Sequence, residues 1–106
     1  MARTSDPDDT SRRVASGLRV AALRKATGMT VIDFAVELNA VARQLGLPER
    51  WTGPKVSKIE TGTQNLIVED VAVLAAYDPE QRGTFWWAFG REEPKESKGA
   101  KRKRTG

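Results

Sequence analysis

The chain has 106 residues, a net charge of +4 at pH 7, and neither cysteine nor histidine. This length fits one small domain with a modest core. The missing residue types exclude disulfides, thiolate nucleophiles, histidine bases and the common zinc sites, so we expect no metal, no cofactor and no enzymatic activity. No apolar run approaches the roughly 18 residues of a membrane span, and the N-terminal residues lack a signal peptide's apolar core. We therefore expect a cytoplasmic protein.

The excess positive charge lies entirely in the C-terminal tail. Residues 91–106 carry seven Lys/Arg and three Asp/Glu, whereas residues 1–90 carry eleven of each. A basic composition is therefore not by itself evidence that the folded part binds nucleic acid. The Lys-Arg-Lys-Arg run at residues 101–104 would attract phosphate, but such runs are also common as solubilising ends. The sequence leaves both roles open.

The N-terminal part of the chain predicts an arm followed by one helix. Residues 1–10 are polar and are expected to be disordered. Residues 11–26 are expected to be helical, because apolar side chains recur at helical spacing. The side chains expected to face the core are Val14, Leu18, Ala21 and Ala22.

A second helix is predicted to begin shortly after a glycine C-cap at Gly28. Thr30 is a suitable N-cap, and Asp33 three residues later gives an approximate capping box. An apolar stripe then continues for about four turns until Gly46 and Pro48 end the helix. The linker that follows contains a Leu and a Trp that are too apolar to remain in water. The stripe consists of Phe34, Leu38, Val41 and Leu45.

A third helix of about two turns is predicted from its start and stop signals. Thr52 is a good N-cap, Pro54 suits the first turn, and Gly62 supplies a left-handed stop. Val56 and Ile59 are three residues apart and are expected to face the core. Because so short a helix is not stable alone in water, these two side chains must hold it in place.

Two further helices complete the predicted domain. The first covers residues 67–77, and the second is expected over residues 78–89, because an Asp-Pro-Glu start signal opens it and a glycine follows it. Gly83 is a weak point inside the last helix. Residues 91–106 are almost free of apolar side chains and are expected to be disordered. The inward side chains of helix four are expected to be Val68, Val71, Leu74 and Ala75.

Five helices with a short third one resemble the lambda-repressor-like (Cro/repressor type) helix-turn-helix family. The matching motifs are Gly-Met-Thr at residues 28–30 and Lys-Val-Ser-Lys-Ile-Glu-Thr-Gly at residues 55–62. The resemblance covers about residues 14–77. It implies an all-α helix-turn-helix domain over residues 11–90, with helix three in the major groove and the next loop on phosphate.

The resemblance also implies which residues contact DNA. Thr52 corresponds to a cap residue near a phosphate, and Lys55 and Lys58 correspond to base-reading or groove-edge positions. Taken alone, such a lysine pair is more often a solvated helix face. Arg24 and Glu60 correspond to an ion pair that ties helix one to helix three. The full expected DNA-binding set is Thr30, Thr52, Pro54, Lys55, Ser57, Lys58, Thr61, Thr63 and Gln64.

The sequence departs from the family pattern at three places. Val31 stands where the family often has a Gln that braces phosphate. Gly53 and Pro54 occupy the first positions of helix three, where the family often has reading side chains, so specificity is expected to rely more on DNA shape or water. An insertion around residues 39–52 lengthens helix two and the following linker, and the sequence leaves its arrangement open.

The aromatic segment Phe-Trp-Trp-Ala-Phe at residues 85–89 is the second informative stretch. Phe85 and Phe89 share one face of helix five, while Trp86 and Trp87 project elsewhere. A domain this small can hardly bury all four, so we expect a homodimer through this surface. The alternatives are a larger monomer core and a different protein partner.

Two functions follow as hypotheses. The first is a sequence-specific DNA-binding transcriptional regulator, a repressor that occupies operator DNA as a dimer. The second is an antitoxin-like or adaptor-like interaction module that uses the aromatic helix, with DNA binding secondary or lost. The carboxylate pairs Asp33/Glu37 and Glu69/Asp70 have ordinary helical spacing and are interpreted as solvent-facing rather than catalytic.

Overall fold

The computed structural model describes residues 7–92, and within that range the chain is all-α, with five helices and no strand. The expected all-α fold with five helices is therefore confirmed. None of the five helices within residues 7–92 is long and apolar enough to cross a membrane. Residues 1–6 and 93–106, which include most of the expected tail, lie outside the described residues. The helices are α1 (Pro7–Thr27), α2 (Val31–Gln44), α3 (Gly53–Glu60), α4 (Val68–Tyr77) and α5 (Thr84–Phe89).

The short α3 lies between α1 and α2 at the centre of the packing. It contacts both helices, α2 also packs on α4, and α5 packs on α4 and α1. Val56 and Ile59 are fully buried, as their spacing predicts. The core that surrounds them consists of Val20, Leu23, Phe34, Ala35, Leu38, Ala42, Trp51, Val73, Leu74 and Trp87.

The first helix begins earlier and packs through a different face than the sequence predicts. α1 starts at Pro7, so residues 7–10 are helical rather than part of a disordered arm. Val14 and Leu18, expected in the core, are 45% and 63% exposed, whereas Val20 is fully buried. The predicted inward face was wrong because a glycine, not a large apolar residue, decides how α1 meets α3.

Gly17 allows the backbone of α1 to approach the C-terminal end of α3. A β-carbon at this position would overlap the carbonyl oxygen of Ile59 and lie 2.8 Å from that of Glu60. Glycine is therefore required here for close packing, although it weakens a helix interior. The helix faces α3 with Gly17 and, one turn later, with Val20.

We predict that Gly17→Ala lowers the free energy of unfolding by about 2–3 kcal/mol, because the added methyl group forces α1 away from α3. The matched control is Gly46→Ala, since Gly46 has a φ of +75° and no atom within 4 Å of an added β-carbon. Gly46→Ala should lower the free energy of unfolding by only about 1 kcal/mol, because the alanine must adopt a left-handed backbone conformation. Urea denaturation of both variants measures the difference, and equal losses would contradict the close-packing account.

The glycine C-cap of α1 and the Thr30 N-cap of α2 are confirmed. The N–H of Gly28 donates to the carbonyl of Lys25 at 3.1 Å, and the N–H of Met29 donates to that of Arg24 at 3.4 Å. This pattern is a Schellman motif that ends α1. The hydroxyl oxygen of Thr30 accepts the N–H of Asp33 at 3.1 Å and begins α2.

The linker between α2 and α3 is folded back onto α2. The side-chain amide of Asn39 accepts the N–H of Trp51 and donates to its carbonyl, both at 2.9 Å. Trp51 is buried and Leu47 packs against the core, as their apolar character predicts. Leu45, expected in the apolar stripe, is instead the C-cap of α2 and is 46% exposed.

The fourth helix packs in the core through Leu74, with Val71 and Ala75 against it, as predicted, but other positions differ from the prediction. Val68 is 82% exposed, whereas Val73 is buried. Asp70, expected to face solvent, is only 3% exposed. Its carboxylate accepts the N–H of Ile67 at 3.1 Å, so the carboxylate caps the start of α4. A carboxylate is buried at position 70 because the free N–H groups at the N-terminal end of α4 need a hydrogen-bond acceptor.

The fifth helix begins six residues later than predicted, at Thr84 rather than Asp78. Gln81 and Gly83 adopt positive φ angles of 52° and 92°, which a helix does not allow. The segment forms a loop around the carboxylate of Asp78 instead. Gly90 ends the helix in the left-handed conformation, as expected.

The Asp78 carboxylate is a buried hub for this loop. It accepts two hydrogen bonds from the Arg82 guanidinium, at 2.9 and 3.0 Å, and backbone N–H groups of Glu80 and Arg82. It also accepts the indole N–H of Trp87 at 3.1 Å. Burial by itself raises the pKa of Asp78, but these hydrogen bonds outweigh burial and lower the pKa from 3.8 to about 2.

We predict that the Asp78 carboxylate contributes roughly 2 kcal/mol to stability at neutral pH. Because its pKa is lower in the folded state, this contribution is complete above pH 4 and is lost as the pH falls towards 2. The difference in unfolding free energy between the natural chain and Asp78→Asn should therefore shrink over that range. A difference that does not change with pH would refute this role for the charge.

Candidate nucleic-acid interface

The outward face of α3 is small, polar and basic. Thr52 caps the helix, and its hydroxyl oxygen accepts the N–H of Lys55 at 3.1 Å. Pro54, Ser57 and Lys58 are exposed on the side opposite the buried Val56 and Ile59. We call the exposed residues Thr52, Pro54, Ser57 and Lys58 the α3 face.

Lys55, expected to contact DNA, is turned away from the α3 face. Its ammonium group donates to the carboxylate of Asp70 at 2.8 Å and lies 4.4 Å from the centroid of the Trp51 ring. Its side chain is only 14% exposed. The structure therefore places Lys55 in the junction between α3 and α4, where it balances the charge that caps α4.

The loop after α3 is held by its own hydrogen bonds. The hydroxyls of Thr61 and Thr63 each contact the carbonyl of Lys58, at 3.2 and 3.1 Å. The N–H of Gly62 donates to Ile59 and that of Thr63 to Lys58, a second Schellman motif. Both threonines are exposed, as a phosphate-contacting loop requires. Their hydroxyl groups already donate to a carbonyl of α3, however, so these hydrogen bonds stabilise the conformation of the loop.

Two further contacts fix this loop and the neighbouring surface. The Nε of Arg13 donates to the carbonyl of Gly62 at 3.1 Å, which places α1 against the loop. Gln64 follows and is half-buried, whereas Thr30, the remaining member of the expected set, is exposed at the start of α2. The expected DNA-binding residues other than Lys55 and Gln64 are thus all exposed.

An ion pair between α1 and α3 orients the α3 face. Arg24 and Glu60 form two parallel hydrogen bonds, of 2.6 and 2.9 Å, as the family resemblance implies. A third hydrogen bond of 2.8 Å joins Arg24 to the carbonyl of Met29. The hydrogen bonds to Glu60 raise the pKa of Arg24. One guanidinium group therefore connects the end of α3 to the turn that precedes α2.

The sequence did not reveal two exposed apolar residues of α2, one of which lies beside the α3 face. Ile32 and Val36, both on α2, are 65% and 61% exposed. Ile32 lies against the start of α3, because a β-carbon at Gly53 would be 3.0 Å from its Cγ1. Their exposure could have been inferred only from their positions outside the predicted apolar stripe of α2.

The aromatic helix exposes less than its sequence suggests. Trp87 is fully buried, which corrects the expectation that both tryptophans serve a partner surface. Trp86 is half-buried, and the guanidinium of Arg82 stacks 4.0 Å from its ring centroid. Phe89 is 55% exposed, and its ring lies 4.7 Å from that of Phe85. The two phenylalanines therefore remain as candidates for partner contact.

An apolar groove adjoins the two phenylalanines. It has a volume of about 620 Å³ and lies between α1, the start of α4 and α5. Arg12 and Ser16 contribute its polar edge. The apolar lining consists of Leu66, Ile67, Val68, Val71, Ala72, Phe85, Ala88 and Phe89.

No protein-family model, no curated protein and no solved structure matches this chain. Among residues 7–92, no group of three or more acidic side chains is arranged to hold a metal ion. The interpretation of the α3 face therefore depends on its own geometry and chemistry.

We predict that the two lysines of α3 contribute differently to stability. Lys55→Met leaves the buried carboxylate of Asp70 without its charged partner and should lower the free energy of unfolding by about 3 kcal/mol. Lys58→Met removes an exposed charge and should change it by less than about 0.5 kcal/mol. Chemical denaturation measures both, and similar losses would show that Lys55 is not committed to the α3–α4 junction.

Proposed function

We propose that this protein is a sequence-specific DNA-binding transcriptional regulator, a repressor of the lambda-repressor-like helix-turn-helix type. The observation that carries the proposal is the α3 face: a small, polar and basic surface on a helix held firmly by its opposite side. Val56 and Ile59 anchor that side, and Arg24 holds the end of the helix through Glu60. Such a helix fits the width of a major groove.

The chemistry of the α3 face assigns distinct roles to its residues. Lys58 has an exposed ammonium group that can reach guanine O6 or N7, and Ser57 can donate to or accept from either base type. Thr52 and Thr30 begin helices whose first N–H groups favour phosphate oxygens. Lys55 has no part in this scheme, so direct base reading depends mainly on Lys58.

The apolar groove supports a homodimer. A second copy of the chain would cover the apolar lining of this groove. Phe89 and Val68 are both highly exposed at the groove, so two copies related by a two-fold axis can each insert apolar side chains into the other. A dimer would present two α3 helices to two half-sites.

The same groove favours the second candidate function, an antitoxin-like or adaptor-like module that binds another protein. Its lining, formed mostly by apolar residues of α4 and α5, would accept a foreign helix as well as a second copy. In that case DNA binding would be weak, because Gly53 and Pro54 provide no hydrogen-bonding side chain at the start of α3.

We predict that the chain dimerises and that Phe89→Glu makes it monomeric, because a carboxylate cannot be buried without a partner in an apolar interface. Analytical ultracentrifugation at micromolar concentration measures the mass. Ile32→Glu, a charge placed at an equally exposed apolar site away from the groove, is the control and should remain dimeric. A monomeric natural chain would favour the protein-partner function.

We predict that the full chain selects a preferred sequence, an inverted repeat, from random duplex DNA at about 150 mM salt, where non-specific phosphate attraction is weakened. On that duplex, Lys58→Ala should weaken binding by about 1–3 kcal/mol and relax specificity at one base pair. Arg43→Gln also removes one positive charge, but at the C-terminal end of α2, and should leave the sequence specificity unchanged. Recovery of no motif, or an unaffected Lys58→Ala, would contradict the proposal.

A further inference from the structure

The first turns of α2 carry an exposed apolar pair that the proposed roles do not use. Ile32 and Val36 are four residues apart, so they lie on one face of the helix. They are 65% and 61% exposed. Together they form a small exposed apolar area, which is available for contact with another molecule.

Ile32 lies at the start of the α3 face. An added β-carbon at Gly53 would be 3.0 Å from Cγ1 of Ile32 and 3.7 Å from Cγ2 of Val31. Ile32 therefore occupies the space that a side chain at position 53 would need. At the position where α3 would otherwise project its first side chain, the aliphatic side chains of Val31 and Ile32 take its place, next to the exposed Pro54.

We propose that Ile32, supported by Val36, contacts the C5-methyl group of thymine in the major groove. This inference rests on the proposed function, since it requires the α3 face to meet DNA. Thymine is the base whose major-groove edge carries a methyl group, and aliphatic side chains recognise it by removing apolar surface from water. The protein should therefore prefer thymine to cytosine at the base beside the start of α3.

DNA matches this pair better than a protein partner does. A stable protein interface removes about 800 Å² of surface from each partner, far more than two side chains offer. The neighbouring exposed residues Thr52, Pro54 and Ser57 are polar or small, so the apolar surface does not extend across α3. A base edge presents one methyl group among polar atoms, which matches a small apolar area with a polar surround.

The test replaces thymine by deoxyuridine, which lacks the methyl group and keeps the hydrogen-bonding pattern. Each thymine of the duplex selected by the full chain is replaced in turn, and the dissociation constant is measured by fluorescence anisotropy. For the natural chain we expect about four-fold weaker binding at one or two adjacent positions. Ile32→Ala should bind the thymine and uracil duplexes equally, since the methyl group then has no partner.

Leu45→Ala is the matched control, because Leu45 is an exposed apolar residue at the other end of α2. It should retain the four-fold sensitivity to uracil, and circular dichroism should show that both variants are folded. A chain that selects a site but tolerates uracil everywhere, or an Ile32→Ala variant that keeps the sensitivity, overturns the methyl contact alone. A chain that selects no duplex overturns both this inference and the proposed function.

Discussion

The close approach of α1 to the C-terminal end of α3 is the constraint on which this structure depends. A helix of two turns has too little internal stability to fold alone, so its position is set by its neighbours. Gly17 lets the two backbones meet, and Arg24 then reaches Glu60 from the same helix. Packing and charge thus fix one end of α3, while Val56 fixes its middle.

The other end of α3 is fixed by a separate cluster. Lys55 joins Asp70 and the ring of Trp51, so α3, α4 and the inserted linker meet at one point. Anchoring a helix at both ends leaves few of its side chains for recognition, and Lys58 remains as the exposed cation of α3. In the proposed complex with DNA, the apolar surface of Ile32 at the start of α3 would supplement base reading by Lys58.

Local sequence signals predicted the ends of α3 and its buried side chains, because caps and helical spacing act within a few residues. Thr52 and Val56 are examples. The sequence did not predict the partner of Lys55 or the role of Gly17, because both depend on which distant segment lies nearby. The sequence predicted that Asp78 starts a helix, because an Asp can cap the residues that directly follow it. In the structure its carboxylate also accepts a hydrogen bond from the distant Trp87, and the segment forms a loop.

Backbone amide chemical-shift mapping of the full chain, titrated with the duplex that it selects, tests the central claim most directly. If α3 enters the major groove, the largest changes will fall on Thr52, Ser57 and Lys58 and on the first turn of α2. The amides around the apolar groove of α4 and α5 should change little beyond any effect of dimerisation. Changes concentrated at Phe89 and Val68, with an unperturbed α3, would contradict the account.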